Sequence, residues 1–136
     1  MRKVILLGSL IFILAGCKKS IEKIKENAVI SAMTDGQWVI TNFVNNGTNN
    51  TFEFSNYKFQ FYSSNTVDAI KNGSTEKTGT WNGNATNMTI DATFPNAILP
   101  LSLINGSWHI DNNSWTFVDA SQKSGVDIRT MRLEKL

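Results

Sequence analysis

From Gln37 onward the apolar residues fall in short alternating runs separated by Asn, Gly and Ser. Alternation with period two is the signature of a half-buried strand. Residues 37–43 put Trp38 and Ile40 on one face, Val39 and Phe43 on the other. The strongest signal lies in residues 51–63, where Tyr57, Phe59 and Phe61 oppose Lys58 and Gln60. Ser55 and Asn56 break phase with Phe52 and Phe54, which predicts a turn or bulge. A strand over residues 66–71 ends at Asn72-Gly73, a dipeptide favoured in tight hairpins. Further strands are predicted over residues 76–82, 87–94, 107–111, 114–120 and 126–133, with Met88, Ile90, Ala92 and Phe94 in phase. Pro95 and Pro100 bracket a segment predicted to hold a short helical turn. About eight strands at short spacing predict an antiparallel sandwich or barrel, and sequential hairpins favour an up-and-down order.

Ahead of these strands the period changes. Ile21, Ile24 and Ala28 recur three and four residues apart, against Glu22, Lys23, Lys25 and Glu26, which predicts a short helix. Residues 28–34 either continue it or form a separate turn, and Asp35-Gly36 stops it. The chain opens Met1-Arg2-Lys3 and then runs uncharged from residue 4 to residue 17. Basic residues before an apolar run are the marks of an export signal. The run is too short to span a bilayer core, which takes ~20 helical residues. It closes on Leu14-Ala15-Gly16-Cys17, which resembles a bacterial lipobox. That resemblance implies a thioether lipid on Cys17, cleavage before it, and acylation of the new amino terminus. The competing reading is a plain secretory signal with a stray cysteine. The expected division is a signal peptide (residues 1–16), lipidated Cys17 with tether and short helix (17–34), and a barrel domain (35–136).

Charge changes the picture little. The net charge of +2 includes Arg2 and Lys3, and without them eleven basic and eleven acidic residues cancel. Lys18, Lys19, Lys23 and Lys25 crowd the tether, a solvated run that also favours anionic lipid headgroups. The remaining body is slightly acidic and has no clustered basic face, so no nucleic-acid partner is expected. Cys17 is the only cysteine, so a lipidated chain has neither thiol nor disulfide and relies on its core alone. Two or more acyl chains anchor stably where one is marginal, so a membrane is the expected partner. Lys18 directly after Cys17, by resemblance to lipoprotein sorting rules, implies an outer-membrane attachment facing the periplasm.

Gly-x-Trp occurs three times, at Gly36-Gln37-Trp38, Gly79-Thr80-Trp81 and Gly106-Ser107-Trp108. The spacings of 43 and 27 residues exclude a fixed-period repeat. Each instance opens a predicted strand, where glycine permits a tight backbone and the indole can plug a barrel end. Gly36-x-Trp38 resembles the Gly-x-Trp of lipocalins. The series W-V-I-T-N-F, F-S-N-Y-K-F-Q-F, G-T-W, L-P-L-S-L-I-N-G-S-W-H-I and M-R-L-E-K is similar to lipocalin-like domains in lipoproteins of Bacteroidota. The resemblance implies an eight-stranded antiparallel up-and-down β-barrel, lipocalin-like, and an apolar cavity within it.

Little in the chain points to catalysis. His109 is the only histidine, too few for a triad with its own orienting partner or for a zinc site. No calcium loop, Walker loop or dinucleotide fingerprint is present. Glu53, Asp68 and Asp91 are the carboxylates nearest the predicted strands, with no sign that any two converge. No enzyme, metal or cofactor is expected. Candidate barrel-lining residues are Trp38, Ile40, Phe59, Phe61, Val67, Trp81, Met88, Ile90, Trp108, Ile110, Trp115 and Phe117. Two functions compete: a membrane-tethered barrel holding a small apolar or amphipathic molecule, and a side-chain-filled barrel that serves as an interaction module of the cell envelope. An eight-stranded barrel is of the size that allows either.

Overall fold

The computed structural model describes residues 24–136. The signal, Cys17 and the lysines at positions 18, 19 and 23 lie outside the described residues. Residues 24–34 form the helix α1, which continues through the segment that the sequence left open. Nine strands follow: β1 (Trp38–Asn45), β2 (Thr48–Asn49), β3 (Tyr57–Phe61), β4 (Thr66–Lys71), β5 (Ser74–Asn84), β6 (Thr89–Thr93), β7 (Gly106–Asn113), β8 (Phe117–Ser124) and β9 (Asp127–Lys135). The stub β2 only pairs with β1. The other eight neighbour one another in chain order, and β1 pairs back onto β9 from Trp38↔Lys135 to Asn45↔Arg129. The result is a closed antiparallel up-and-down barrel, as the hairpin order predicts.

The turns follow from their residues. Asn46-Gly47 and Asn72-Gly73 both sit in left-handed backbone (φ 50° and 80°, 52° and 82°), the pattern of two-residue type I′ hairpins. The expected helical turn between the prolines is present as a 3₁₀ turn, Leu101–Ile104. A second 3₁₀ turn, Thr51–Phe54, replaces the start of the run predicted over residues 51–63. It exposes Phe52 and buries Phe54 against Phe43, ring centroids 4.8 Å apart. That packing fills the weakest seam, where β1 meets β3 only at Trp38↔Phe59.

Two departures from simple alternation set what faces inward. The β1–β9 register slips between Ile40 and Asn42, a bulge that spends Thr41 as an extra residue. Phe43 therefore turns inward with Trp38 and Ile40, not outward with Val39, and is fully buried. The helix also shows a different face from the expected one. Ile24 and Ala28 are exposed, while Val29, Ile30 and Met33 pack onto the core. The core contacts of α1 thus come from its second half.

The strand directions define two ends. At the α1 end lie the helix, the β3–β4, β5–β6 and β7–β8 turns, and the carboxy terminus. At the loop end lie the β1–β3 and β6–β7 connections and the β4–β5 and β8–β9 turns.

Candidate functional site

The interior was the first candidate site, and it is packed. Ile40, Phe59, Phe61, Val67, Ile90 and Trp108 meet Phe94, Ile104, Met131 and Leu133 around a residual void of about 30 Å³. The void has no polar lining. That volume is roughly one water's share of liquid, whereas ligand pockets run to ~300–1,000 Å³. The one polar side chain buried in the core is Gln122, at the loop end. Its amide donates to the Asn105 carbonyl (3.0 Å) and its oxygen accepts from Arg129 (2.9 Å), so it is spent on structure.

The three Gly-x-Trp indoles fasten the barrel ends. Trp38 Nε1 donates to the Met33 carbonyl at 3.0 Å, pinning α1 over its mouth. Trp81 Nε1 donates to the Tyr62 carbonyl at 2.9 Å, holding the β3–β4 turn, and its ring meets Phe61 edge-on. Trp108 Nε1 donates to the Ile104 carbonyl at 2.7 Å, holding the 3₁₀ turn at the loop end. All three rings are buried. The glycines have separate reasons: Gly36 (φ 84°) and Gly106 (φ 119°) occupy left-handed backbone, while a side chain on Gly79 would strike the Thr93 carbonyl. Two of the three instances enter strands, at β1 and β7, but Gly79-Thr80-Trp81 lies in the middle of β5, so what the three share is an indole that closes a barrel end.

Of the candidate lining residues, Trp38, Ile40, Phe59, Phe61, Val67, Trp81, Ile90, Trp108 and Ile110 are buried. Three are not inside. Met88 takes φ 53° in the turn before β6 and is 38% exposed, because the strand predicted from residue 87 begins two residues later, at Thr89. Trp115 and Phe117 fail by phase. β8 starts at Phe117 and points Val118, Ala120 and Gln122 inward, so both aromatics belong to the outer set. A slip of one residue inverts every side chain on a strand. Phe117 lies under the Arg132 guanidinium, 4.2 Å away, and Trp115 is 52% exposed with the Lys135 ammonium 4.6 Å from its ring. The same ammonium sits 5.1 Å over Trp38 and pairs with Asp35 at 3.4 Å.

Met88 and Trp115 instead meet on the outside. With Lys25, Val29, Ile110 and Asn113 they line an open cleft of about 420 Å³ between α1 and the β5–β6 and β7–β8 turns. Gly83 lets Val29 approach the wall, since a side chain there would meet it. At the opposite end Phe52, Ile98, Leu99 and Val126 project from the connections, and Ile128 from the start of β9.

The polar groups form no converging set. His109 stands on the outer wall, with Nδ1 3.0 Å from Asp111 and both side chains open to solvent. Glu53 bonds Asn50, Asp68 accepts from Tyr62 and Thr78, and Asp91 is exposed on β6. Among the described residues no group of three or more His, Cys, Asp or Glu could hold a metal ion. No described helix is long and apolar enough to cross a membrane.

Among the described residues Tyr57 is the most strongly perturbed group. Burial, joined by its hydrogen bond to the Glu76 carboxylate, pushes the phenol up to about 12. The unfolded phenol loses its proton first, near pH 10.0. Its stabilising contribution is thus complete below pH ~10 and declines as pH rises through ~12. Denaturant unfolding across that window is expected to show this loss, and Tyr57→Phe to flatten it.

No protein-family model matches the chain, and no curated protein matches it in sequence. In fold it is similar to the crystal structure of a DUF4847 family protein from Bacteroides vulgatus. The TM-score is 0.55 at 12% identity, over 78% of this chain and 96% of that one. At such identity the likeness concerns the barrel alone.

Proposed function

We propose that the chain is a lipid-anchored envelope protein whose solid barrel is a non-enzymatic interaction module. Cys17 carries the anchor, on the outer membrane facing the periplasm. The observation that carries the interaction reading is the interior: about 30 Å³ of apolar void where a ligand would need some tenfold more. The rival reading, a small apolar molecule held inside, would require the plugs at Trp38, Trp81 and Trp108 to give up buried packing and their carbonyl partners. The contact surface is then external. The loop-end rim of Phe52, Ile98, Leu99, Val126 and Ile128 gathers exposed apolar side chains at one end, which supports an interaction role.

Titration with an environment-sensitive fatty acid such as cis-parinaric acid tests the reading. The expected result is no saturable one-to-one binding. Saturable binding at one site per chain, lost when Phe59 is enlarged to Trp but unaffected by Trp115→Ala, would overturn it in favour of a working cavity.

A further inference from the structure

We infer that the α1 end of the barrel is a docking face for an anionic lipid bilayer, built from Ile24, Lys25, Met88, Trp115 and Leu136. The inference rests on the reading of Cys17 as the anchor and goes beyond it, because an anchor alone leaves the barrel free to face any direction. Three observations converge on this end. The first is the length of chain between anchor and barrel. Cys17 stands seven residues before Ile24, so the two cannot be farther apart than about 25 Å, roughly the length of the barrel itself. The lipid thus holds the α1 end near the headgroups, while the loop end can reach them only if the chain doubles back along the barrel.

The second observation is what this end exposes. Met88, Trp115 and Lys25 share one cleft, and Ile24 is 66% exposed beside Lys25. Leu136 is exposed next to them, where the β9 end pairs with Thr116. Trp115 is the fourth tryptophan and the only one outside the core. An indole with an apolar body and a polar edge, set beside an ammonium, suits the boundary between headgroups and acyl chains. Half of its surface stays open to solvent, and the cation over its ring is the Lys135 ammonium, itself already engaged by Asp35 and Trp38.

The third observation is charge. Residues 18–26 carry Lys18, Lys19, Lys23 and Lys25 against Glu22 and Glu26, a net positive stretch at the point where the chain meets this end. An anionic surface attracts this stretch, and the short tether keeps that attraction at the α1 end. Together these orient the loop-end apolar rim away from the bilayer, into the compartment where a protein partner would approach.

Trp115 is its own reporter, because the other three indoles are buried. The chain beginning at Cys17 is coupled through this single thiol to a maleimide lipid in mixed phosphatidylethanolamine–phosphatidylglycerol vesicles. The tether is then present whether or not a cell would lipidate it, so failure of the anchor reading and failure of docking are separable. The acrylamide-quenchable tryptophan signal, absent in Trp115→Phe, is expected to fall by about half or more on tethering, as an indole enters the interface. Lipids brominated near the headgroup are expected to quench it, and high salt to restore its accessibility. A tethered protein whose Trp115 stays as quenchable as in free solution would overturn the inference. Protection that is indifferent to salt and to anionic lipid would overturn its electrostatic part.

Discussion

Trp108→Ala is expected to lower the unfolding free energy by about 5 kcal/mol, enough to leave the barrel near the edge of folding. A buried tryptophan truncated to alanine costs ~3–5 kcal/mol in lost packing and cavity. The loss is at the high end here because the Trp108 ring lies against the Phe43–Phe54 pair, its centroid 6.1 Å from that of Phe43. Removing the indole also strands the Ile104 carbonyl, a further ~1–3 kcal/mol if water cannot reach it. Against a total of ~5–15 kcal/mol, such a change is most of the stability. Urea unfolding followed by circular dichroism measures it, and Trp108→Phe separates the terms. Phenylalanine keeps most of the volume but has no donor, so its smaller cost isolates the bond to Ile104. A cost below ~2 kcal/mol for Trp108→Ala would mean the loop end is not closed by this ring.

Cys17→Ser is expected to move the protein from the membrane to the soluble fraction almost completely. The effect is on location alone, since Cys17 precedes every described residue and the barrel keeps its own core. Each buried methylene contributes ~0.8 kcal/mol, so on the proposed anchor of two or more acyl chains the substitution removes the whole anchoring term. The proposed docking face would not replace it. A patch of a few side chains acts only when the tether supplies a high local concentration of bilayer. Fractionation of the expressing cell with an antibody reads the result directly. The plain-secretion alternative predicts a soluble protein before and after the substitution, with no shift in mass at Cys17.

Much of the barrel was legible because its grammar is local. The alternation of Tyr57, Phe59 and Phe61 survives unchanged in β3, and Asn72-Gly73 makes the turn that its backbone freedom allows. The Gly-x-Trp indoles were legible as plugs, but only the first and third stand at a strand entry; Gly79 lies mid-strand in β5, where the close approach of the Thr93 carbonyl requires it. The misses share a cause: register, which depends on pairing with a distant strand. Nothing near Thr41 announces that β9 skips it, and so Phe43 was read on the wrong face. Nothing near Trp115 shows that β8 begins at Phe117, which reverses the phase of both aromatics. The face of α1 was misread for the related reason that the mouth it covers is assembled from strands far along the chain.

Those misses also moved the candidate site. Met88 and Trp115 left the interior and met on the outer cleft, which gave the α1 end its character. What remained inside is aromatic and aliphatic bulk that fills the space a lipocalin-like cavity would occupy. Eight strands are compatible with either outcome, so composition could not choose between them; the packing does.

The central claim is a filled barrel on a covalent lipid. Native mass spectrometry of the protein extracted from expressing membranes tests it most directly. The account predicts a chain that starts at Cys17 and carries covalent lipid, with no additional mass that is lost on denaturation. A noncovalent apolar compound at one copy per chain, released on unfolding, would contradict it and mean that the barrel opens to hold a ligand.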